Sequence, residues 1–329
     1  MTQTDTAVEA VLEPDLPIID AHHHVWGDER QPPYPASRLF ADKAVSGHKV
    51  DATVFVECHQ AYRSEGPEHL RSVGETEFAR GVAEDALRLG GRAAGACAGI
   101  VAFVDLTDAV NVDAALDAHA KAAGGRLRGV RQMAIAAPEL PARHQSPAGL
   151  LTSEGFQAGF ARFAKRNLPF DVMLTHPQLR DAVALARAFP QTTLVLDHLG
   201  GPLGVGRFAD RKGEAFAEWR EQLRAVAACP NVVCKLGGLL MPYTGLAAGE
   251  GRQMDSNATA AALRDHLLTA IDLFGPWRCM FESNFPVDMP SVSYVALWNG
   301  FKRITSNFSP MERAAMFHDV AARVYRLPA

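Results

Sequence analysis

Short runs of apolar and mostly β-branched residues recur eight times along the chain. Most of the runs are continuously apolar instead of alternating with polar residues, a pattern typical of parallel strands that are covered on both faces. Their lengths suit single strands. The predicted strands are residues 17–23, 52–58, 97–106, 127–133, 170–174, 192–199, 231–237 and 278–285.

Segments with helical periodicity separate most of these strands. In each of them apolar residues recur at spacings of three and four, which places them on one face of an α-helix. Glycine or proline ends most of the segments and marks where the helix stops. The predicted helices lie within residues 75–90, 109–125, 154–167, 177–190, 213–230, 259–275 and 309–327.

The alternation of strands and helices predicts an α/β fold, the (β/α)8 TIM barrel. The alternative is an open doubly wound sheet, but no glycine-rich phosphate-binding turn follows the first strand. Residues 1–16 are predicted to form a flexible N-terminal arm, and residues 17–329 a single barrel domain. Long loops are expected after strands one, two, six and seven, on the face where barrel active sites lie.

The composition is that of an ordinary globular protein, and it excludes some classes of partner. Hydrophobic residues make up 48% of the 329 residues, charged residues 21%, and the formal net charge is -4. Without a basic excess we expect no nucleic-acid partner. No apolar run is long enough to cross a membrane, and the N-terminus lacks the pattern of a signal peptide. The five cysteines are scattered and form no CxxC pair, which favours free thiols and a cytoplasmic enzyme.

Ionisable side chains stand near the carboxyl ends of several predicted strands, where an unpaired charge would cost several kcal/mol to bury. Alternate residues of a strand share a face, so His22 and His24 point the same way and His23 points opposite. Such a His-x-His pair can place two imidazoles on one metal ion. Asp20 lies on the same face of the strand and, without binding the metal itself, can orient one of its ligands. The alternative, a surface pair without function, is disfavoured by further histidines at later strand ends.

Two of these further histidines are open to two interpretations each. His198 stands at the end of predicted strand six, before a glycine-rich loop, and is either a metal ligand and catalytic group or a core histidine with its own partners. His176 precedes Pro177 at a junction between a strand and a helix. It either binds a metal or hydrogen-bonds the backbone there.

Two cations lie inside apolar strands, where each requires an anionic partner. For Arg131 the partner is Glu57, Asp105 or a carboxylate of the substrate, which a guanidinium can hold with two hydrogen bonds. Lys235 presents the same choice. Glu57 is therefore either a structural partner of these cations or a catalytic carboxylate.

Five motifs occur in order across nearly the whole chain: "IIDAHHHVW", "RGVRQ", "LVLDHLGGP", "VVCKLGGL" and "CMFESNFPVD". Together they resemble the amidohydrolase superfamily, in its branch of amidohydrolase-2-type, predicted metal-dependent hydrolases with a TIM-barrel fold. This branch includes lactonases that act on sugar lactones and on pyrone or muconolactone-type dicarboxylates. The resemblance implies a distorted barrel and a hydrolase. It also implies that His22, His24 and His198 occupy the superfamily's histidine positions, and His176 the strand-five position.

The sequence departs from the superfamily pattern at strand eight. The usual aspartate, a metal ligand and general base, is replaced by Asn284. An amide cannot act as a base near neutral pH and is a weaker ligand. Strand four offers Arg131 where binuclear relatives have a lysine or glutamate. We therefore expect one divalent ion, Zn or Mn, or hydrolysis without a metal, and the base to be one of His198, Glu57, Glu282 or Asp288. Asp288 could instead cap the following helix.

Three functions remain open at this point. The first is a lactonase that opens a sugar lactone or a carboxylated lactone. Its candidate catalytic residues are His198, Asn284, Glu57 and Asp288, its candidate metal ligands are His22, His24, His198 and His176, and its candidate substrate-binding residues are Arg131, Lys235, His176, Glu282 and Trp26. The second is a metal-dependent decarboxylase, which needs less of a base. The third is a ligand-binding barrel with reduced catalysis. The partner is a small molecule, expected to be carboxylated, and the barrel is expected to form a homodimer.

Overall fold

Eight parallel strands form one sheet in which neighbours follow the order of the chain. The computed structural model describes residues 9–142 and 145–327. All eight strands overlap the predicted runs, and the TIM-barrel prediction is confirmed. The strands are β1 (Pro17–His23), β2 (Lys49–Val56), β3 (Gly99–Phe103), β4 (Leu127–Met133), β5 (Phe170–Met173), β6 (Leu194–Leu196), β7 (Val232–Leu236) and β8 (Cys279–Phe281).

The barrel closes between β1 and the residues that follow β8. Asn284 N donates to His22 O at 2.9 Å, and His24 N donates to Phe285 O at 2.7 Å. His23 and Phe285 form a parallel bridge between the two segments. Closure therefore fixes the His-x-His segment against the segment that carries Asn284.

A helix follows each strand on the outside of the barrel. The helices are α1 (Ala36–Val45), α2 (Val73–Leu89), α3 (Val112–Ala122), α4 (Glu154–Phe163), α5 (Leu179–Ala188), α6 (Lys212–Ala227), α7 (Ser256–Phe274), α8 (Tyr294–Ile304), α9 (Pro310–Ala314) and α10 (Val320–Val324). Helix α1 lies in the segment that was predicted to be a long loop after strand one. None of the helices in the described part of the chain is both long and apolar enough to cross a membrane.

The strand boundaries differ from the prediction where the backbone leaves the extended conformation. Strand β6 ends at Leu196, not at residue 199, because His198 and Leu199 have φ values of 52° and 56°. Positive φ is incompatible with a strand. Strand β2 begins earlier than predicted, at Lys49. Its first residues alternate between exposed polar side chains, Lys49 and Asp51, and the buried Val50, so they lie outside the continuous apolar run. Strand β3 is confined to Gly99–Phe103.

The described part of the predicted N-terminal arm hydrogen-bonds to α8. Leu12 N donates to Asn299 Oδ1 at 2.8 Å, and Asn299 Nδ2 donates to Ala10 O at 2.9 Å. Lys302 Nζ donates to the carbonyl oxygens of Leu12 and Glu13, both at 2.8 Å. Residues 1–8 of the predicted arm lie outside the described residues.

A buried histidine between α2 and α3 makes the stability of the fold depend on pH. His119 is fully buried, with Thr76 Oγ1 2.8 Å from Nδ1 and Ser72 Oγ 3.1 Å from Nε2. Burial lowers the pKa of His119 from 6.5 to about 4. The unfolded chain binds this proton between those values and the folded chain does not, so stability is lost as pH falls from 6.5 towards 4.

We expect the wild type to lose about 2 kcal/mol more unfolding free energy than His119→Gln between about pH 7 and pH 5. Urea unfolding followed by circular dichroism at the two pH values measures this difference. Equal losses in the two proteins would contradict the assignment.

Candidate active site

Two imidazoles face each other at the carboxyl end of β1. His22 Nε2 lies 3.2 Å from His24 Nε2. The other nitrogen of each ring has an acceptor: Glu282 Oε2 lies 3.0 Å from His22 Nδ1, and Val56 O lies 2.8 Å from His24 Nδ1. With a hydrogen on each Nδ1, both Nε2 atoms carry a lone pair. Groups that can only donate lie near both nitrogens of His22, with Arg131 Nη1 3.4 Å from Nε2 and Lys235 Nζ 3.2 Å from Nδ1, so the cations do not select one tautomer of this ring.

His23 points to the opposite side of the strand, as the alternation of side chains predicts. Its Nε2 lies 2.8 Å from Thr53 Oγ1 and 3.8 Å from Cys97 Sγ, and the ring is fully buried. Asp20 accepts from Ser283 N at 2.8 Å and from Tyr294 OH at 3.0 Å. Its hydrogen bonds thus go to the segment after β8 and to the backbone N of His22, which donates to Oδ1 at 3.4 Å, and not to an imidazole nitrogen.

His198 joins the pair through a shared carboxylate. The left-handed turn after β6 directs its ring inward, where Nδ1 lies 2.6 Å from Glu282 Oε1. Glu282 thus bridges the Nδ1 atoms of His22 and His198. Burial works against the charged form of His198, but the carboxylate of Glu282 outweighs it and raises the pKa of His198.

The two buried cations are already paired with carboxylates of the protein. Arg131 Nε donates to Glu57 Oε1 at 2.8 Å, and Nη1 donates to Asp197 Oδ2 at 3.3 Å. Lys235 Nζ lies 2.6 Å from Asp171 Oδ2 and 3.0 Å from Asp197 Oδ1. Of the partners considered for Arg131, Glu57 is the one that the structure places beside it.

Asp171 and Asp197 are members of the site to which the sequence analysis assigned no role. Asp197 is shared by both cations, and Asp171 also accepts from Tyr325 OH at 2.7 Å. The signal for Asp171 was available, because it is an ionisable residue inside the apolar run of β5. Its partner Tyr325 follows the last helix and could not be inferred from that run.

Asn284 and Asp288 form a separate pair at the edge of the cluster. Asn284 has a φ of 54° and donates from Nδ2 to Asp288 Oδ1 at 2.9 Å. The other carboxylate oxygen of Asp288 accepts from Leu240 N at 3.1 Å. Asp288 does not cap the next helix, because Ser293 occupies that position. Burial raises the pKa of Asp288 from 3.8 to about 7.

Two predicted site residues have other neighbours. His176 Nδ1 accepts from Leu203 N at 3.0 Å, and its ring packs against Phe208 with centroids 4.7 Å apart. Trp26 donates from Nε1 to Pro32 O at 2.8 Å and stacks on His24 with centroids 6.1 Å apart. His176 thus makes the backbone contact that was its alternative interpretation, and one face of Trp26 is taken up by His24.

The donor set at the centre fits a metal ion. Within the described residues, one group of side chains could hold a cation: His22, Asp197 and His198 offer ligand atoms within 4.8 Å of one another. His24 adds its Nε2 beside that of His22. Burial lowers the pKa of His22 and of His24, which keeps their lone pairs available. Each ring also has a carboxylate or carbonyl on its second nitrogen, as metal-binding histidines generally do.

The charges of the buried cluster also favour a bound cation. Four buried carboxylates outnumber two fixed cations at the centre: Glu57, Asp171, Asp197 and Glu282 against Arg131 and Lys235. His198, whose pKa Glu282 raises, offsets one of these negative charges when it is protonated. Among the described buried oxygens, Asp197 Oδ1 and Glu282 Oε2 lack a well-aligned hydrogen bond. A divalent cation beside them would offset both the excess and the unsatisfied oxygens.

Comparison with known proteins agrees with this geometry. A family model described as Amidohydrolase matches residues 19–327. The protein y4mH of Sinorhizobium fredii is 31% identical over 330 residues, covering 95% of this chain and 99% of that protein. An L-fucono-1,5-lactonase of Burkholderia multivorans is 37% identical over 177 residues, covering 53% of this chain and 56% of that enzyme.

A solved structure extends the similarity over the whole barrel. The crystal structure of an amidohydrolase from Burkholderia multivorans with bound zinc has a TM-score of 0.71 and 27% identity, covering 94% of this chain and 99% of that one. The family match spans the segment from β1 to the residues after α10, and with it every residue of the cluster described above. The chain belongs to the amidohydrolase family.

Proposed function

We propose that this amidohydrolase is a lactonase that adds water to the carbonyl of a lactone and releases a hydroxy acid. The observation that carries the proposal is a buried group of imidazoles suited to a cation, next to a carboxyl group whose pKa lies near neutrality. The name of the lactonase relative supports the same reaction class. Polarising a carbonyl and activating water are the two requirements of this hydrolysis.

Asp288 is the general base in this proposal, chosen from the four residues that the sequence suggested. Glu57 is held by Arg131, and Glu282 bridges two histidines, with a pKa that His198 lowers to about 2 despite burial. His198 belongs to the group that fits a cation. Asp288 remains, and a pKa of about 7 lets it accept a proton from water near neutral pH.

His22, His24, His198 and Asp197 would hold one divalent ion, Zn or Mn, in this proposal. When bound, the ion supplies Lewis-acid polarisation of the lactone carbonyl. Glu282 and Val56 O fix the orientation of the imidazoles from behind, and Arg131 and Lys235 hold Asp197 in place.

One acid-base group, Asp288, can carry out both proton transfers of the reaction. Asp288 takes a proton from water as the water oxygen forms a bond to the carbonyl carbon. The bond from that carbon to the ring oxygen then breaks, and the same carboxyl group returns its proton to the leaving oxygen. The products are a carboxylic acid and a hydroxyl on one open chain. Asn284 donates to Asp288 and keeps its carboxyl group oriented.

A panel of neutral and carboxylated lactones, assayed by acid release with a pH indicator, tests the proposed reaction. We expect turnover of at least one member at a rate far above that of the buffer alone. Carbon dioxide measured in parallel on aromatic carboxylates would reveal a decarboxylase. Binding without turnover on every member would contradict a lactonase and leave the ligand-binding barrel.

The metal is tested by elemental analysis of protein purified without a tag or a chelator. We expect about one Zn or Mn ion per chain in the wild type, and less than about one fifth of that in His24→Gln. Full activity in protein with no bound ion would contradict the metal role.

Gly238 offers a prediction on the geometry of the site. It follows β7 with a φ of 63°, and a Cβ at this position would overlap the ring of His198. Gly238→Ala is expected to lower kcat/KM about 100-fold by displacing the imidazole. Gly81→Ala in α2 is the matched control, because its Cβ would meet open space, and it is expected to leave kcat/KM unchanged. Activity of Gly238→Ala equal to that of the control would contradict the prediction.

Two broader expectations belong to the same proposal. The five cysteines are free thiols, which supports a reducing compartment such as the cytoplasm. A homodimer stays a prediction, and size-exclusion chromatography with light scattering measures it.

A further inference from the structure

The five tyrosines of the chain divide into two classes by their hydroxyl groups. Three of them donate to buried or partly buried carboxylates at 2.7–3.0 Å and stabilise the scaffold: Tyr34 to Asp42, Tyr294 to Asp20, and Tyr325 to Asp171. The other two, Tyr62 and Tyr243, have buried hydroxyl oxygens without a hydrogen-bond partner among the described residues. A buried hydroxyl without a partner costs free energy unless a ligand satisfies it.

Both unpartnered hydroxyls belong to loops at the mouth of the barrel. Tyr62 lies in the loop after β2, and Tyr243 lies in a short helical turn, Pro242–Thr244, in the loop after β7. In the barrel order these strands stand on either side of β1 and β8. The two tyrosines therefore flank the segment that carries His22 and His24 from opposite sides.

The surroundings of Tyr62 combine a donor with unsatisfied acceptors. Its ring stacks on His59 with centroids 5.4 Å apart, and His59 Nδ1 lies 3.5 Å from Glu57 Oε2. Glu75 accepts from Cys58 N at 2.8 Å through Oε1, and both Glu57 Oε2 and Glu75 Oε2 lack a hydrogen-bond partner among the described residues. A group that both donates and accepts, such as an alcohol, matches this set.

Tyr243, like Tyr62, lies near an acidic side chain. Its carbonyl accepts from Gly204 N at 2.8 Å, which joins the loops after β6 and β7. Its side chain packs against a buried apolar cluster that includes Met173, Leu203 and Met241. Burial raises the pKa of both phenols, and neighbouring carboxylates, Glu75 for Tyr62 and Asp288 for Tyr243, raise it further. Both phenols thus stay protonated donors beside acidic groups.

The two buried cations at the centre are not free to bind an anionic ligand. Arg131 and Lys235, the buried cations expected from the sequence to bind a substrate carboxylate, are each held by two carboxylates of the protein. Among the described residues neither of these two cations is uncommitted, so a substrate carboxylate would have to compete with Glu57, Asp171 or Asp197 for it.

We propose that Tyr62 and Tyr243 are specificity-determining residues whose hydroxyls bind a neutral, hydroxylated lactone. This inference rests on the proposed lactonase function and names its substrate class. It differs from the expectation of a carboxylated substrate. Each tyrosine hydroxyl donates to an oxygen of the ligand, and near Tyr62 the ligand's hydroxyls donate to Glu57 Oε2 and Glu75 Oε2.

The test compares two lactones with the same ring, δ-gluconolactone with hydroxyls and δ-valerolactone without them. Tyr62→Phe and Tyr243→Phe are each expected to lower kcat/KM about ten-fold or more for δ-gluconolactone, mainly through KM, and less than about three-fold for δ-valerolactone. Because neither hydroxyl has a partner among the described residues, the thermal midpoints should stay equal or rise. Tyr34→Phe is the control, with a lower midpoint and no selectivity between the lactones.

Three outcomes would overturn the inference. They are equal losses on the two lactones, a midpoint that falls in Tyr62→Phe or Tyr243→Phe as it does in Tyr34→Phe, and faster wild-type hydrolysis of 2-pyrone-4,6-dicarboxylate than of δ-gluconolactone. If the wild type opens no lactone, the proposed function fails separately. The inference is then decided by whether δ-gluconolactone raises the midpoint of the wild type more than that of the two variants.

Discussion

Asp288→Asn is expected to lower kcat for lactone hydrolysis about 10³-fold, within the range typical of a lost general base. Burial raises the pKa of the Asp288 carboxyl group from 3.8 to about 7. A base acts in its deprotonated form, so wild-type kcat should rise between about pH 5 and pH 8 with a midpoint near 7. The variant has no group to titrate at this position, and its residual activity should not follow that limb.

Asp105→Asn is the matched control, because Asp105 is also a carboxylate just beyond a strand. Its Oδ1 accepts from Thr107 N at 2.9 Å, and asparagine retains an acceptor for that bond. We expect its kcat to stay within about three-fold of the wild type. Kinetics across the pH range, with metal content measured in each protein, separate a lost base from a lost metal ion. An unchanged acidic limb in Asp288→Asn would assign the base to another residue.

The placement of His22 and His24 could be predicted from the sequence, because alternation along a strand depends on nothing outside it. The 3.2 Å approach of their Nε2 atoms and the burial of His23 on the other side agree with that parity. The eight strands were predictable for a similar reason, since continuous apolar runs have few other places to lie in a soluble protein.

The partners of the buried cations could not be predicted in the same way. The sequence shows that Arg131 and Lys235 need anions, but the choice of anion depends on which strands the barrel brings together. Asp197 serves both cations because β6 lies between β5 and β7, and its side chain reaches across to Arg131 on β4. The left-handed turn at His198 was equally inaccessible, because positive φ is uncommon outside glycine, even for histidine, and a bulky residue such as Leu199 adopts it more rarely still.

The same turn shows where backbone strain is stored. Residues held at positive φ without being glycine cost on the order of 1–3 kcal/mol each, and they persist where the surrounding structure fixes them. His198 is fixed by its 2.6 Å contact with Glu282, and Asn284, also at positive φ, by its bond to Asp288. Both residues lie in the proposed catalytic cluster, which therefore carries part of the backbone strain of the fold. Other residues with positive φ, among them Asn167 and Arg326, lie outside it.

Lys235→Met is expected to lower the free energy of unfolding by about 3–5 kcal/mol, the cost of breaking a buried ion pair by removing one partner. Lys235 is fully buried, and its ammonium group lies 2.6 Å from Asp171 Oδ2 and 3.0 Å from Asp197 Oδ1. Methionine fills a similar volume, so the loss arises from two carboxylates that keep their charge without this cation. Urea unfolding followed by circular dichroism near pH 7 measures it.

The double variant Lys235→Met/Asp171→Asn separates lost charge pairing from lost packing. It removes one of the stranded carboxylates, while the amide oxygen of asparagine can still accept from Tyr325 OH, which donates to Asp171 at 2.7 Å in the wild type. If unpaired charge causes the loss, the double variant should regain at least about half of the free energy lost by the single variant. A double variant no more stable than the single one would show that packing around the lysine stem dominates. A single variant within about 1 kcal/mol of the wild type would mean that Arg131 and the histidines alone neutralise Asp171 and Asp197.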